Sequence, residues 1–142
     1  MRKWAMMSLG LLWMSTAAFA DDSTEISKKV WDHHIATWQS RDLDGLLSDY
    51  NDDSAVIIVN KVYKGKPQIR KAFEFLFQTF DRATAQTIDP TTIEGQIVYI
   101  TWNAEIDGIK HPVGTDTFVI ENGKIFYQTI TSDLLLFGNL PN

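Results

Sequence analysis

Two side chains able to move protons sit where the surrounding pattern asks for apolar ones. His34 has Val30, Trp31, Ile35 and Trp38 at minus four, minus three, plus one and plus four, so helical periodicity turns it toward a core or cavity. Asp116 alternates with Phe118 and Ile120 along a strand, and a carboxylate on that face is costly without a partner. Each has a plain structural reading: a neutral core histidine bonded to a carbonyl, and an aspartate near a sheet edge that reaches water. Their occurrence on two elements expected to face each other favours a site. A buried imidazole and carboxyl that meet hold each other in defined protonation states. The expected arrangement is a direct or water-bridged pair in an enclosed cavity lined by Trp38, Tyr99 and Phe118. His34 is then the general acid/base, and Asp116 its orienter or a hydrogen-bond donor.

Other chemistries lack their residues. The chain has no Cys, hence no thiol nucleophile and no disulfide. It carries no G-x-G-x-x-G, phosphate-cradling, G-x-S-x-G or H-E-x-x-H motif. His33 and His34 project about 100° apart on a helix and cannot share a metal ion. Only His111 is left over. No metal or cofactor is expected, and His33, beside Lys29 and Thr37, is expected to face water.

The elements that must position these residues are legible in outline. Asp22 and Glu25 resemble a capping box ahead of a first helix with the stripe Ile26, Val30, Trp31, His34, Ile35 and Trp38. Asp42 caps a short second helix carrying Leu43, Leu46, Leu47 and Tyr50, which breaks at Asn51-Asp52-Asp53 and feeds a strand from Ala55 to Val59. A return through Tyr63 and Gly65 opens a third helix at Pro67, with Ile69, Ala72, Phe73, Leu76, Phe77 and Phe80 on one face. Four strands come next: Ala83 to Ile88, ended or interrupted by Pro90; Gln96 to Ile106; Val113 to Ile120; and Ile125 to Ser132. Asp107-Gly108 and Asn122-Gly123 are hairpin signals between them. Helices first and an antiparallel meander afterwards indicate an α+β fold, with the helices on one face of a curved sheet.

If both hairpin turns hold two residues between paired strands, one face collects Ile97, Tyr99, Thr101, Asp116, Phe118, Ile120, Ile125, Tyr127 and Thr129. The other collects Val98, Ile100, Trp102, Val119, Phe126 and Ile130. Both faces are then apolar, whereas helices can cover only one. A homodimer burying Trp102 and Phe126 is the expected cover, with a different register or cover from the tail Leu134 to Leu140 as the alternatives.

Residues 1–20 have the pattern of a signal peptide: Arg2 and Lys3, an apolar run from Trp4 to Met14, and Ala18-Phe19-Ala20 before Asp21. That run falls short of the roughly 20 residues needed to span a bilayer. A periplasmic or secreted protein is expected, with residues 21–142 as one domain. Loss of Arg2 and Lys3 takes the net charge from −5 to −7. Such an acidic surface disfavours nucleic acid and, after leader removal, membrane as partners.

The segments Asp42-Leu43-Asp44-Gly45, Tyr50-Asn51-Asp52-Asp53, Gly65 with Ile69-Arg70, and Asp116 through Ile125 resemble SnoaL-like proteins. These are part of the nuclear transport factor 2-like and ketosteroid-isomerase-like superfamily. The resemblance covers nearly all of residues 21–142. It implies a cone-shaped fold, with about three N-terminal helices packed on a curved, mostly antiparallel sheet enclosing a pocket. It also places His34 at the oxyanion-hole Tyr of ketosteroid isomerases and Asp116 at their protonated oxyanion-hole Asp, a case in general use as an example of pKa tuning. Their general-base Asp falls on Ile58, which cannot take a proton.

The leading functional reading is an exported pocket protein for a small hydrophobic molecule. Its enzymatic form is cofactor-free acid/base chemistry of isomerase, dehydratase or cyclase type. The alternatives are a non-catalytic ligand carrier or sensor, and a dimeric interaction module whose pocket its own side chains fill.

Overall fold

A computed structural model describes residues 17–136 and 139–142, so the expected leader lies almost wholly outside the described residues. The chain forms α1 (Ala17–Ser40), α2 (Leu43–Leu47), β1 (Ala55–Ile58), β2 (Lys61–Lys64) and α3 (Lys66–Phe80). Then come β3 (Ala83–Glu94), β4 (Ile97–Ile106), β5 (Ile109–Glu121), β6 (Lys124–Ser132) and α4 (Asp133–Leu136). The six strands make one curved sheet in the order β2-β1-β6-β5-β4-β3. Only β1 and β6 pair in parallel. This is the expected α+β architecture.

Local chemistry explains the helix ends. The Asp42 carboxylate accepts from the Gly45 N–H at 2.9 Å and caps α2. Gly45 must lack a side chain there, since a Cβ would lie 2.3 Å from Asp42 Oδ2. Pro67 sits in the first turn of α3, where a missing N–H costs nothing. The start of α1 differs from expectation. Asp22 lies inside the helix rather than capping it, because Ala17, Ala18 and Ala20 are strong helix formers upstream.

The strands differ from expectation at three places, each with a cause. β3 continues through Pro90. It is an edge strand whose register shifts between Ile88 and Thr91, and edges and bulges are where sheets tolerate proline. Both hairpin turns hold two residues, with Ile106 opposite Ile109 and Glu121 opposite Lys124. The ladders beyond them are broken, however. Ala104 pairs with His111 but Trp102 with Gly114, and Ile120 pairs with Ile125 but Val119 with Tyr127. Each bulge adds one residue to one strand, which moves the residues beyond it to the other face.

The face assignment is corrected accordingly. Val98, Ile100 and Trp102 share the inner face with Asp116, Phe118, Ile120, Ile125, Gln128 and Ile130, and all are buried. The outer face carries Ile97, Tyr99 and Tyr127, which are 40%, 39% and 46% exposed, among Thr101, Thr117 and Thr129. Trp102 is therefore inside the fold at 5% exposure and cannot bridge two subunits. α3 lays Ile69, Ala72, Phe73, Leu76, Phe77 and Phe80 on the inner face side of the molecule, all in the core. Each large side chain so buried contributes about 1.5–3 kcal/mol. The tail forms α4, whose Leu135 is buried, and Leu134 and Leu140 pack against the core.

Candidate functional site

The inner face of the sheet and helices α1 and α3 enclose a chamber of about 50 Å³. Its walls include Trp31, His34 and Trp38 from α1, Phe73 and Phe80 from α3, and Trp102, Asp116, Phe118 and Gln128 from the sheet. A wider space of about 270 Å³ shares Trp31, Ile35, Trp38, Gln86 and Ile88 with it and adds Gln39 and Thr91. The shared residues make this the chamber's vestibule.

His34 is 4% exposed, as helical periodicity requires. Three aromatic rings stand edge-on to it, those of Tyr50, Phe73 and Phe118, with centroids 5.8, 6.0 and 5.3 Å away. Its Nδ1 lies 3.2 Å from Asp49 Oδ2, and His33 Nδ1 lies 2.7 Å from Asp49 Oδ1. An ionised carboxylate only accepts, so both Nδ1 atoms donate. On His34 that leaves Nε2, which has no hydrogen bond among the described residues, as an acceptor at the chamber wall. His33 is exposed, as expected, but its ring is tied to the same carboxylate.

Asp116 is 7% exposed and also lines the chamber. Trp102 Nε1 donates to its Oδ1 and Gln128 Nε2 to its Oδ2, each at 2.9 Å. Behind Gln128, the buried Tyr50 hydroxyl donates to the amide oxygen Oε1. Burial pushes the Asp116 carboxyl up to about 6, while the two donated hydrogen bonds pull the other way. The Tyr50 phenol is held well above its ordinary value, first by burial and then by Asp49 and Asp116. Gly114 makes the Trp102 contact possible, since a Cβ there would fall 2.1 Å from the indole Cε2.

His34 and Asp116 thus share one chamber without bonding to each other. The carboxylate that orients His34 is Asp49, not Asp116. Trp38 and Phe118 line the chamber as expected. Tyr99 does not, because the bulge between Trp102 and Ala104 leaves it on the outer face at 39% exposure. Ile58 is fully buried and carries no polar atom toward the site. Asp49, Gln128 and Trp102 were not identifiable as site residues from the sequence. Asp49 lies past the end of α2 with no apolar repeat to turn it inward, and the other two depend on the bulges. Among the described residues no three His, Asp or Glu side chains converge as a metal site requires.

A profile of the SnoaL-like domain matches residues 31–128, more than half of the chain. The chain belongs to the SnoaL-like family. No curated protein matches it. Solved structures confirm the fold for this family member at low identity. A nuclear transport factor 2-like protein of unknown function from Burkholderia xenovorans superposes with a TM-score of 0.63 at 14% identity, over 76% of this chain and 83% of its own. A protein from Shewanella denitrificans provisionally named a SnoaL-like polyketide cyclase gives 0.59 at 17%, over 76% and 90%. A de novo designed protein with a curved β-sheet gives 0.62 at 19%, over 77% and 86%. At these identities the likenesses are of fold alone.

Proposed function

We propose that this SnoaL-like protein is exported, binds a small, mostly apolar molecule in the chamber, and carries out cofactor-free proton transfer on it. One observation carries the reading: His34 keeps Nδ1 on Asp49 and leaves Nε2 without a partner at the wall of an aromatic cavity. A proton leaving a bound substrate moves to Nε2, and the imidazolium so formed is met by the Asp49 carboxylate. Asp116, across the chamber, holds a polar group of the substrate in place. Isomerase, dehydratase and cyclase chemistry all need only these parts. A second reading, a carrier or sensor, is favoured by Ile58, which is apolar where ketosteroid isomerases place their base.

Trp31, Trp38 and Trp102 all line the chamber, so tryptophan fluorescence reports its occupancy. The test is to identify by mass spectrometry the small molecules that co-purify with protein from the exported fraction, then titrate them. His34→Gln is expected to retain affinity and lose turnover. Binding without any reaction in the unaltered protein assigns a carrier. A chamber that no small molecule perturbs leaves an interaction module. The proposal includes a homodimer through the outer face around Tyr99, Phe126 and Tyr127. A monomer mass by light scattering at micromolar concentration removes that part.

A further inference from the structure

The chamber is unbalanced in charge, and the imbalance points to a ligand. Two acceptors, the Asp116 carboxyl and His34 Nε2, belong to residues that line the chamber and not the vestibule. No Lys or Arg is among its lining residues. Arg41 packs over the Trp38 ring at 5.0 Å, but its Nε is tied to Asp81 at 2.8 Å and its NH1 to the Trp38 carbonyl at 2.9 Å. Asp116 is satisfied only by neutral donors, Trp102 Nε1 and Gln128 Nε2. With both oxygens accepting, it is built as an acceptor and not as the proton-donating acid of a ketosteroid-type oxyanion hole. A buried carboxylate without a counter-charge is costly, and its raised pKa of about 6 reflects that burial.

The donors are distributed the opposite way. Trp31 Nε1 has no hydrogen bond among the described residues and lines both chamber and vestibule. Gln86 accepts from Trp38 Nε1 at 3.2 Å through Oε1, which leaves its Nε2 for the vestibule. The free donors thus sit on residues shared with the vestibule and the acceptors on residues of the chamber alone, between aromatic walls that favour an organic cation.

We propose that the chamber takes the protonated amine headgroup of a small aliphatic molecule, with its N–H groups on Asp116 and its other end toward the mouth, which leaves His34 Nε2 free. This rests on the chamber being a ligand site, as proposed above, and adds the class of ligand. An ammonium supplies up to three donors and no acceptor, the complement of what Asp116 offers.

Three probes of one length and different charge separate the two claims: butylamine, butan-1-ol and butanoate, titrated against the full protein at about pH 8 by tryptophan fluorescence. Butylamine is protonated there, as an ordinary lysine amine with a pKa of about 10.4 is. Butylamine is expected to bind at least about tenfold more tightly than butan-1-ol, with butanoate weakest. In Asp116→Asn the amine-over-alcohol preference is expected to fall below about threefold, because the amide keeps the shape and loses the charge. Equal or tighter binding of butan-1-ol in the unaltered protein overturns the amine assignment and leaves the pocket reading standing. An unchanged preference in Asp116→Asn also overturns it. Binding of none of the three overturns both claims.

Discussion

The helical and sheet walls of the chamber each carry one proton-active side chain, but they hold it in opposite ways. On the helical wall, His34 is backed by Asp49, and Asp49 reaches His33, whose side chain is half-exposed. A run of ionisable groups thus connects the chamber to solvent. On the sheet wall, Asp116 is enclosed by the neutral donors Trp102 and Gln128, with Tyr50 behind. The Asp116 carboxylate on the sheet wall is costly to bury and meets no opposite charge among the described lining residues.

The largest effect expected from this contrast is on stability against pH. The folded state raises the Asp116 pKa from 3.8 to about 6, so between those values the folded protein binds more protons than the unfolded chain. Stability from this group therefore falls as pH rises through that window and levels off above it, by about 3 kcal/mol in all. Urea unfolding of the unaltered protein and of Asp116→Asn at pH 4 and pH 7 measures this. The variant should lack most of that fall, and identical pH slopes would break the contrast.

Gly114→Ala should act on the sheet wall alone. The added methyl meets the Trp102 indole in a packed interior, and overpacking of this kind costs about 1–3 kcal/mol. The indole N–H resonance of Trp102 should also leave its hydrogen-bonded position, because displacing the ring separates Nε1 from Asp116. An unmoved resonance would mean that Gly114 does not set the Trp102 contact.

On the helical wall, Asp49→Ala leaves a buried His34 donor without an acceptor, a loss of about 1–3 kcal/mol. His33→Ala should cost less than about 1 kcal/mol, since its partner bond is half in solvent. Equal costs for the two would show that His33, not His34, is the histidine that Asp49 chiefly serves.

The contrast between the walls also explains what could be read beforehand. Helix periodicity turned His34 inward correctly, because a 3.6-residue repeat needs only local sequence. Strand alternation turned Asp116 and Phe118 inward correctly for the same reason. It failed for Tyr99 and Trp102, whose side of the sheet depends on one extra residue between Trp102 and Ala104 in the ladder. Nothing in Pro112-Val113-Gly114 announces that bulge except a glycine whose purpose is visible only beside Trp102. Asp49 was hidden differently. Its partnership with His34 spans 15 residues and two helices, and its neighbours Asp52 and Asp53 are exposed.

The central claim is that His34 presents an unprotonated Nε2 to the chamber because Asp49 holds the proton on Nδ1. Nitrogen-15 NMR of the imidazole at alkaline pH reads this directly. The Nδ1–H tautomer is expected in the unaltered protein and a mixture of tautomers in Asp49→Ala. A proton found on Nε2 in the unaltered protein would contradict it, because the chamber would then lose its base.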